Sequence, residues 1–138
     1  MNLSTVAAIV KGQLIGPNIS INNFTIDGRH SNKNTCYIAL KGDNLEGHTF
    51  INQAIMNHAS SAIVSQVSTH AIPVILVEDT TQALALLASH HKQQMTLPTL
   101  ALTGSCGKTS VKEMIKSILP KSAFVSPGNL NNHIGVPL

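Results

Sequence analysis

Residues 102–114 read LTGSCGKTSVKEM, and the chain on either side of them decides the fold. Before them, Pro98 opens the apolar run TLALT (99–103), which reads as a buried strand. From within them, Lys108 to Leu119 reads as an amphipathic helix stopped by Pro120. A strand, a glycine turn and a helix form the geometry that holds phosphate. Backbone N–H groups of the turn and the helix N-terminus aim at one spot, and the helix dipole adds to the attraction. Gly104 and Gly107 let the backbone approach a ligand with no Cβ in the way. Lys108 supplies a mobile positive charge for terminal phosphates, and the Thr109 hydroxyl suits a magnesium ion. Ser105, Cys106 and Ser110 complete the loop. The match is to a shortened G-x-x-G-K-T pattern, because Leu102 stands where the longer motif has its first glycine. The plainer reading is a tight strand-to-helix turn; the flanking strand and helix favour phosphate.

Strand and helix readings alternate upstream as well. Ser4 is expected to cap a helix through Val10 with Gly12 past its end. ISINNFTI (19–26) reads as a bulged strand, followed by a turn at Asp27-Gly28-Arg29. TCYIAL (35–40) reads as a buried strand ended by Lys41-Gly42, and 43–47 as a loop. His48 to His58 carries a helical stripe at 50, 51, 54 and 55. Ala62–Ser65 and PVILV (73–77) read as strands. Asp79 and Thr80 are expected to cap a helix to about Gln94, and AFVS (123–126) reads as a last strand. This alternation predicts an α/β protein with a largely parallel sheet. The expected division lies near residue 79: a small N-terminal α/β domain over 1–79, then the first part of a P-loop-type parallel-sheet domain over 80–138.

Composition narrows the function. Hydrophobic residues make up 43% of the 138 and aromatics 3%, so the core must come from Ile, Leu, Val and Ala. The net charge of +3 is spread over nine scattered Lys and Arg, with no Trp and one Tyr. That leaves little for bases to stack on and argues against nucleic acid. Cys36 and Cys106 have no paired spacing, which fits a reducing compartment. The N-terminus lacks the features of a signal peptide, and AIPVILV is too short to span a membrane. The expectation is a cytoplasmic protein without membrane insertion. The seven His show no metal spacing.

Together with three further stretches, the glycine loop resembles the Mur ligases of bacterial cell-wall synthesis. GNLNNHIGVPL (128–138) resembles the block after the second strand of their ATP domain. VEDTTQALALLA (77–88) is similar to their link between first and second domains. IDGRHSNKNTCYIALKGDNLEGHTFINQA (26–54) resembles their uridine-binding domain. The resemblance covers nearly all of the chain and is closest to the member that adds D-alanyl-D-alanine to UDP-N-acetylmuramoyl-tripeptide. It implies an ATP-dependent amide-forming ligase acting through an acyl phosphate, with ATP and Mg2+ as cofactors. On that reading Gly104, Ser105, Cys106, Gly107, Lys108, Thr109 and Ser110 hold ATP. Lys108 and Thr109 carry the catalytic role, and Thr109 takes the metal. Asp27, Gly28, Arg29, Lys41, Gly42 and His48 shape the uridine-diphosphate pocket. Asn129, Asn131 and Asn132 face the sugar-peptide part or order the loop near it.

The sequence departs from the family pattern in places. Gly28 stands where Ser or Thr is usual, Cys106 where Ser or Asn is usual, and His133 where an acidic residue is common. Family members are also much longer, so the resemblance predicts an N-terminal portion, inactive alone. It would bind UDP-linked substrate and be open to self-association through an incomplete sheet. Two other functions remain open: a non-catalytic UDP-muramoyl-peptide binding module, and the related ligase adding a diamino acid. The site residues have plain readings too. Asp27 and Arg29 could be a surface ion pair, Lys41-Gly42 a strand-ending turn, His48 a helix cap, and the Asn cluster a turn-rich loop.

Overall fold

The computed structural model describes residues 1–41, 46–66, 71–96, 98–120, 123–126, 132 and 134–137. In chain order its elements are α1 (Leu3–Val10), β1 (Gln13–Ile15), β2 (Asn23–Thr25), a 3-10 helix at Gly28–His30, β3 (Thr35–Ile38), a 3-10 helix at Gly47–Phe50, α2 (Ile51–Met56), β4 (Ser61–Val64), β5 (Val74–Leu76), α3 (Thr80–Gln94) and α4 (Lys108–Ile118). β3 and β4 are buried at every position, the pattern of strands covered on both faces. β2, β3, β4 and β5 run parallel, and β1 closes the edge antiparallel to β5, in the order β1-β5-β4-β3-β2. The α/β class and the mainly parallel sheet are as the sequence predicts.

Two apolar layers hold the sheet. On one face, Leu3, Val6, Ala7 and Val10 of α1 and Ala83, Leu84 and Leu87 of α3 pack with Ile21, Cys36, Ile38, Ile63 and Ile75. On the other, Ile51 and Ala54 of α2 pack with Tyr37, Ala62, Val64 and Val74. Each fully buried Leu or Ile contributes about 1.5–3 kcal/mol, so the aliphatic core is enough without Trp. Asp79 caps α3 by accepting from Thr81 N at 2.7 Å and Gln82 N at 3.1 Å. No described helix is long and apolar enough to cross a membrane.

Several expectations change. Ser4 lies inside α1 and does not cap it; the Asn18 side chain reaches across to accept from Ser4 N at 3.0 Å. Lys11, with φ 56°, takes the left-handed cap position expected near Gly12. The bulged strand over 19–26 shortens to Asn23–Thr25, and β1 is an additional strand. The helical stripe after His48 begins as a 3-10 turn and becomes regular only at Ile51. The runs 99–103 and 123–126 form no strand. A strand satisfies its backbone groups on neighbours, and no described segment pairs with either run. The apolar side of α4 is correspondingly open: none of its residues is buried, and Ile118 is 81% exposed. Part of residues 121–138 lies outside the described set, but Ile134 packs against the α1/α3 layer.

Candidate functional site

Parallel strands bring their carboxyl ends to one edge, where ligands of open α/β sheets bind. Asp27 follows β2, Lys41 follows β3 and Ser65 follows β4. Asp27 organises the first of these turns. Its Oδ1 accepts from Arg29 N at 3.0 Å, which starts the 3-10 helix. The Arg29 guanidinium then grips the carboxylate as a fork, with Nε to Oδ1 at 3.0 Å and Nη2 to Oδ2 at 2.7 Å. His30 Nδ1 lies 3.1 Å from Oδ2. Hydrogen bonds from Arg29 hold the Asp27 carboxyl well below the usual carboxylate range, and Asp27 in turn raises Arg29. Arg29 stays 71% exposed on its side chain. It is a fixed, permanently charged group beside open solvent, suited to a diphosphate.

Gly28 is buried beneath this turn. A Cβ there would stand 3.2 Å from Ala54 N and from Phe50 O, so position 28 faces α2. Asn57 Nδ2 donates to Gly28 O at 3.0 Å and ties the far end of α2 to the same turn.

The second turn is built by Lys41, Glu46, Gly47 and His48. An antiparallel bridge joins Lys41 to Glu46, and Gly47 N donates to Leu40 O at 2.8 Å. A Cβ at Gly47 would collide with the Leu40 backbone, so this approach requires glycine. The buried Tyr37 hydroxyl donates to Gly47 O at 2.9 Å. Burial pushes that phenol up to about 12, and the charge on Asp27 adds to the effect. His48 is 13% exposed on its side chain. Its Nδ1 sits 2.7 Å from Glu46 Oε1 and its Nε2 accepts from Ser65 N at 3.0 Å. Gly42 lies outside the described residues.

The glycine loop forms a separate group. Gly104 (φ 145°) and Gly107 (φ 76°) take backbone conformations that favour glycine. Gly107 leads into α4 with no side-chain cap, so the cap residue offers no acceptor to the first amides of α4, which carry the positive end of the dipole. Lys108 Nζ donates to Gly104 O, drawing the ammonium across the loop. Ser105, Cys106, Thr109 and Ser110 are exposed. Uncapped amides, a lysine and a hydroxyl in one turn are the donor set that a nucleotide's phosphates and their magnesium require. Asn132 is exposed and its Oδ1 accepts from Ile134 N at 3.2 Å and Gly135 N at 2.7 Å, ordering its own turn. Asn129 and Asn131 lie outside the described residues. No hydrogen bond or ion pair among the described residues joins the glycine loop to the Asp27–His48 edge.

No protein-family model matches the chain. Its whole length is 39% identical over 140 residues to the UDP-N-acetylmuramoyl-tripeptide–D-alanyl-D-alanine ligase of Escherichia coli K12, of which it spans 31%. Its fold is similar to a crystal structure of MurF from Acinetobacter baumannii, with a TM-score of 0.89 and 35% identity over 97% of this chain and 31% of that one. The chain belongs to the Mur ligase family. A structure of MurF ligase from Thermotoga maritima in complex with ADP is also similar, with a TM-score of 0.75 and 30% identity over 84% of this chain and 28% of that one. The chain spans about a third of the length of the relatives it matches.

Sequence reasoning named Asp27, Gly28, Arg29, Lys41, Gly42 and His48 along the strand-end edge and missed the contacts that tie its turns together. Tyr37, Glu46, Gly47 and Ser65 join the turn after β3 to the end of β4. Tyr37 carried the one available signal: it is the only tyrosine in the chain and it lies in a buried run, where its hydroxyl must find a partner.

Proposed function

We propose that this chain carries the UDP-substrate-binding unit and the ATP-binding loop of a ligase that joins D-alanyl-D-alanine to UDP-N-acetylmuramoyl-tripeptide. The observation that carries this reading is the identity of 39% across the whole chain to a ligase of that name, in a chain holding both a glycine loop and a fixed arginine at the strand ends. The division falls at about residue 79, with residues 1–79 taking the UDP-linked substrate and 80–138 opening the ATP-binding domain. The helix α3, which opens the second segment, packs on the first unit's sheet.

Asp27 fixes Arg29 so that its guanidinium meets the diphosphate. Gly28 lets α2 close on that turn. Lys41, Gly42 and His48 line or hold the neighbouring wall. Asn129, Asn131 and Asn132 order the segment that faces the sugar-peptide part. Gly104, Ser105, Cys106, Gly107 and Ser110 offer backbone and hydroxyl donors to the ATP phosphates. Lys108 neutralises charge there, and the Thr109 hydroxyl would ligate Mg2+. ATP supplies a phosphoryl group that turns the peptide carboxylate, a poor electrophile, into an acyl phosphate open to attack by the amine of D-alanyl-D-alanine. The residues of this chain align and neutralise. The reaction belongs in the cytoplasm, where ATP and UDP-linked precursors meet.

A second reading, UDP-substrate binding without turnover by these 138 residues, is favoured by the open face of α4 and by the unpaired run 99–103. Calorimetric titration with UDP-N-acetylmuramoyl-tripeptide, and separately with Mg-ATP, tests both. Saturable binding of the UDP compound is expected, weakened by Arg29→Ala. Absence of UDP-compound binding by a folded sample would overturn the assignment of the 27–48 edge. Tight ATP binding that survives Lys108→Ala would overturn that of the glycine loop.

A further inference from the structure

His48 stands at the strand-end edge assigned to the UDP substrate, yet both of its ring nitrogens are already engaged. Ser65 N is a backbone amide and can only donate. Its partner at 3.0 Å, His48 Nε2, must therefore offer a lone pair and carry no proton. The remaining ring proton then sits on Nδ1 and points at Glu46 Oε1, 2.7 Å away. The geometry points to a neutral, Nδ1-protonated His48 that acts as a positioning residue: it latches the turn after β3 to the end of β4 and does not itself contact ligand. This inference rests on the reading of the strand ends as the UDP-substrate site.

Three further observations support it. His48 is 13% exposed on its side chain, so little of the ring is open to a ligand. Glu46, its acceptor, is bridged through its backbone to Lys41, so the imidazole links the position of Lys41 to β4. The turn is held from below as well, by Tyr37 through Gly47 O. The Ser65 hydroxyl lies 3.4 Å from the same Nε2. The resulting Ser–His–Glu row resembles a nucleophile, base and orienting acid. The lone pair that would accept a serine proton is, however, already used by the Ser65 amide. The row is a strut and not a hydrolytic triad.

The test uses the 138-residue chain labelled with 15N. Ring-nitrogen shifts of His48 at neutral pH should show a protonated Nδ1 and an unprotonated Nε2. Amide exchange at Ser65 should be slow in the native chain. It should stay slow in His48→Gln, whose side-chain oxygen can accept in place of Nε2, and become fast in His48→Ala, while Ile75 in the sheet stays protected in all three. Affinity for UDP, measured by calorimetry, should fall about tenfold in His48→Ala, because the unlatched turn must then be ordered on binding, and recover in His48→Gln. A protonated Nε2, or Ser65 exchange that ignores both substitutions, would overturn the strut. So would loss of UDP affinity in His48→Gln with Ser65 still protected, because the ring would then be a ligand contact. If the native chain binds no UDP, the substrate reading of this edge fails, and the ring shifts and Ser65 exchange decide the strut by themselves.

Discussion

α3 and α4 make an instructive pair. Both are signalled clearly in the sequence and both form. α3 buries Ala83, Leu84 and Leu87 against the sheet. α4 carries Val111, Met114 and Ile118 at helical spacing on one side, yet buries none of them. The difference lies outside the helices. α3 has a five-stranded sheet beneath it. The residues around α4 that read as strands, 99–103 and 123–126, pair with nothing described. An apolar stripe states what a helix has available to bury; a surface of the right shape decides whether it does.

That contrast can be broken or sharpened by experiment. The largest effect should come from the two cysteines, one in each region. Cys36 is fully buried, and desolvation pushes its thiol up to about 12; Cys106 is exposed in the glycine loop. Thiol-reactive reagent should label Cys106 readily in the native chain and reach Cys36 only on unfolding, as followed by mass spectrometry. Early labelling of Cys36 would mean that the sheet opens as easily as the loop.

Next, Ile63→Ala removes a fully buried side chain from the centre of the sheet. It should cost about 2–5 kcal/mol in denaturant unfolding. Asp79→Ala deletes the acceptor for two α3 amides and should cost about 1 kcal/mol.

Ile118→Ser, on the open side of α4, should change stability by less than about 0.5 kcal/mol. A larger loss would mean that this face is covered in solution, by a second copy for instance, and sedimentation at two concentrations would then show it. The smallest effect concerns pH. The folded state depresses Asp27, so its contribution is present above the ordinary carboxylate value of about pH 4 and is lost as the pH falls through the folded value. The thermal midpoint should decline slightly more between pH 4 and pH 2 in the native chain than in Asp27→Asn. The exposure of Arg29 keeps the difference small.

Much of this protein follows from local signals. The alternation of apolar runs with capped helical stripes specifies an α/β fold with a parallel sheet. Asp79 ahead of an apolar stripe specifies where α3 begins. Gly104 and Gly107 specify a glycine turn ahead of α4, and Asp27 with Arg29 specifies an ion pair, because each pattern works through residues a few positions apart. Tertiary structure decided the rest. β1 is three residues long and exists through its pairing with β5. The runs at 99–103 have strand composition without a strand, because backbone pairing needs a neighbour far along the chain. Gly28 reads as a ligand position, and only the fold shows that α2 lies against it. His48 reads as a helix cap or a ligand. Its tautomer and its task are set by the Ser65 amide, 17 residues away in sequence and 3.0 Å away in space.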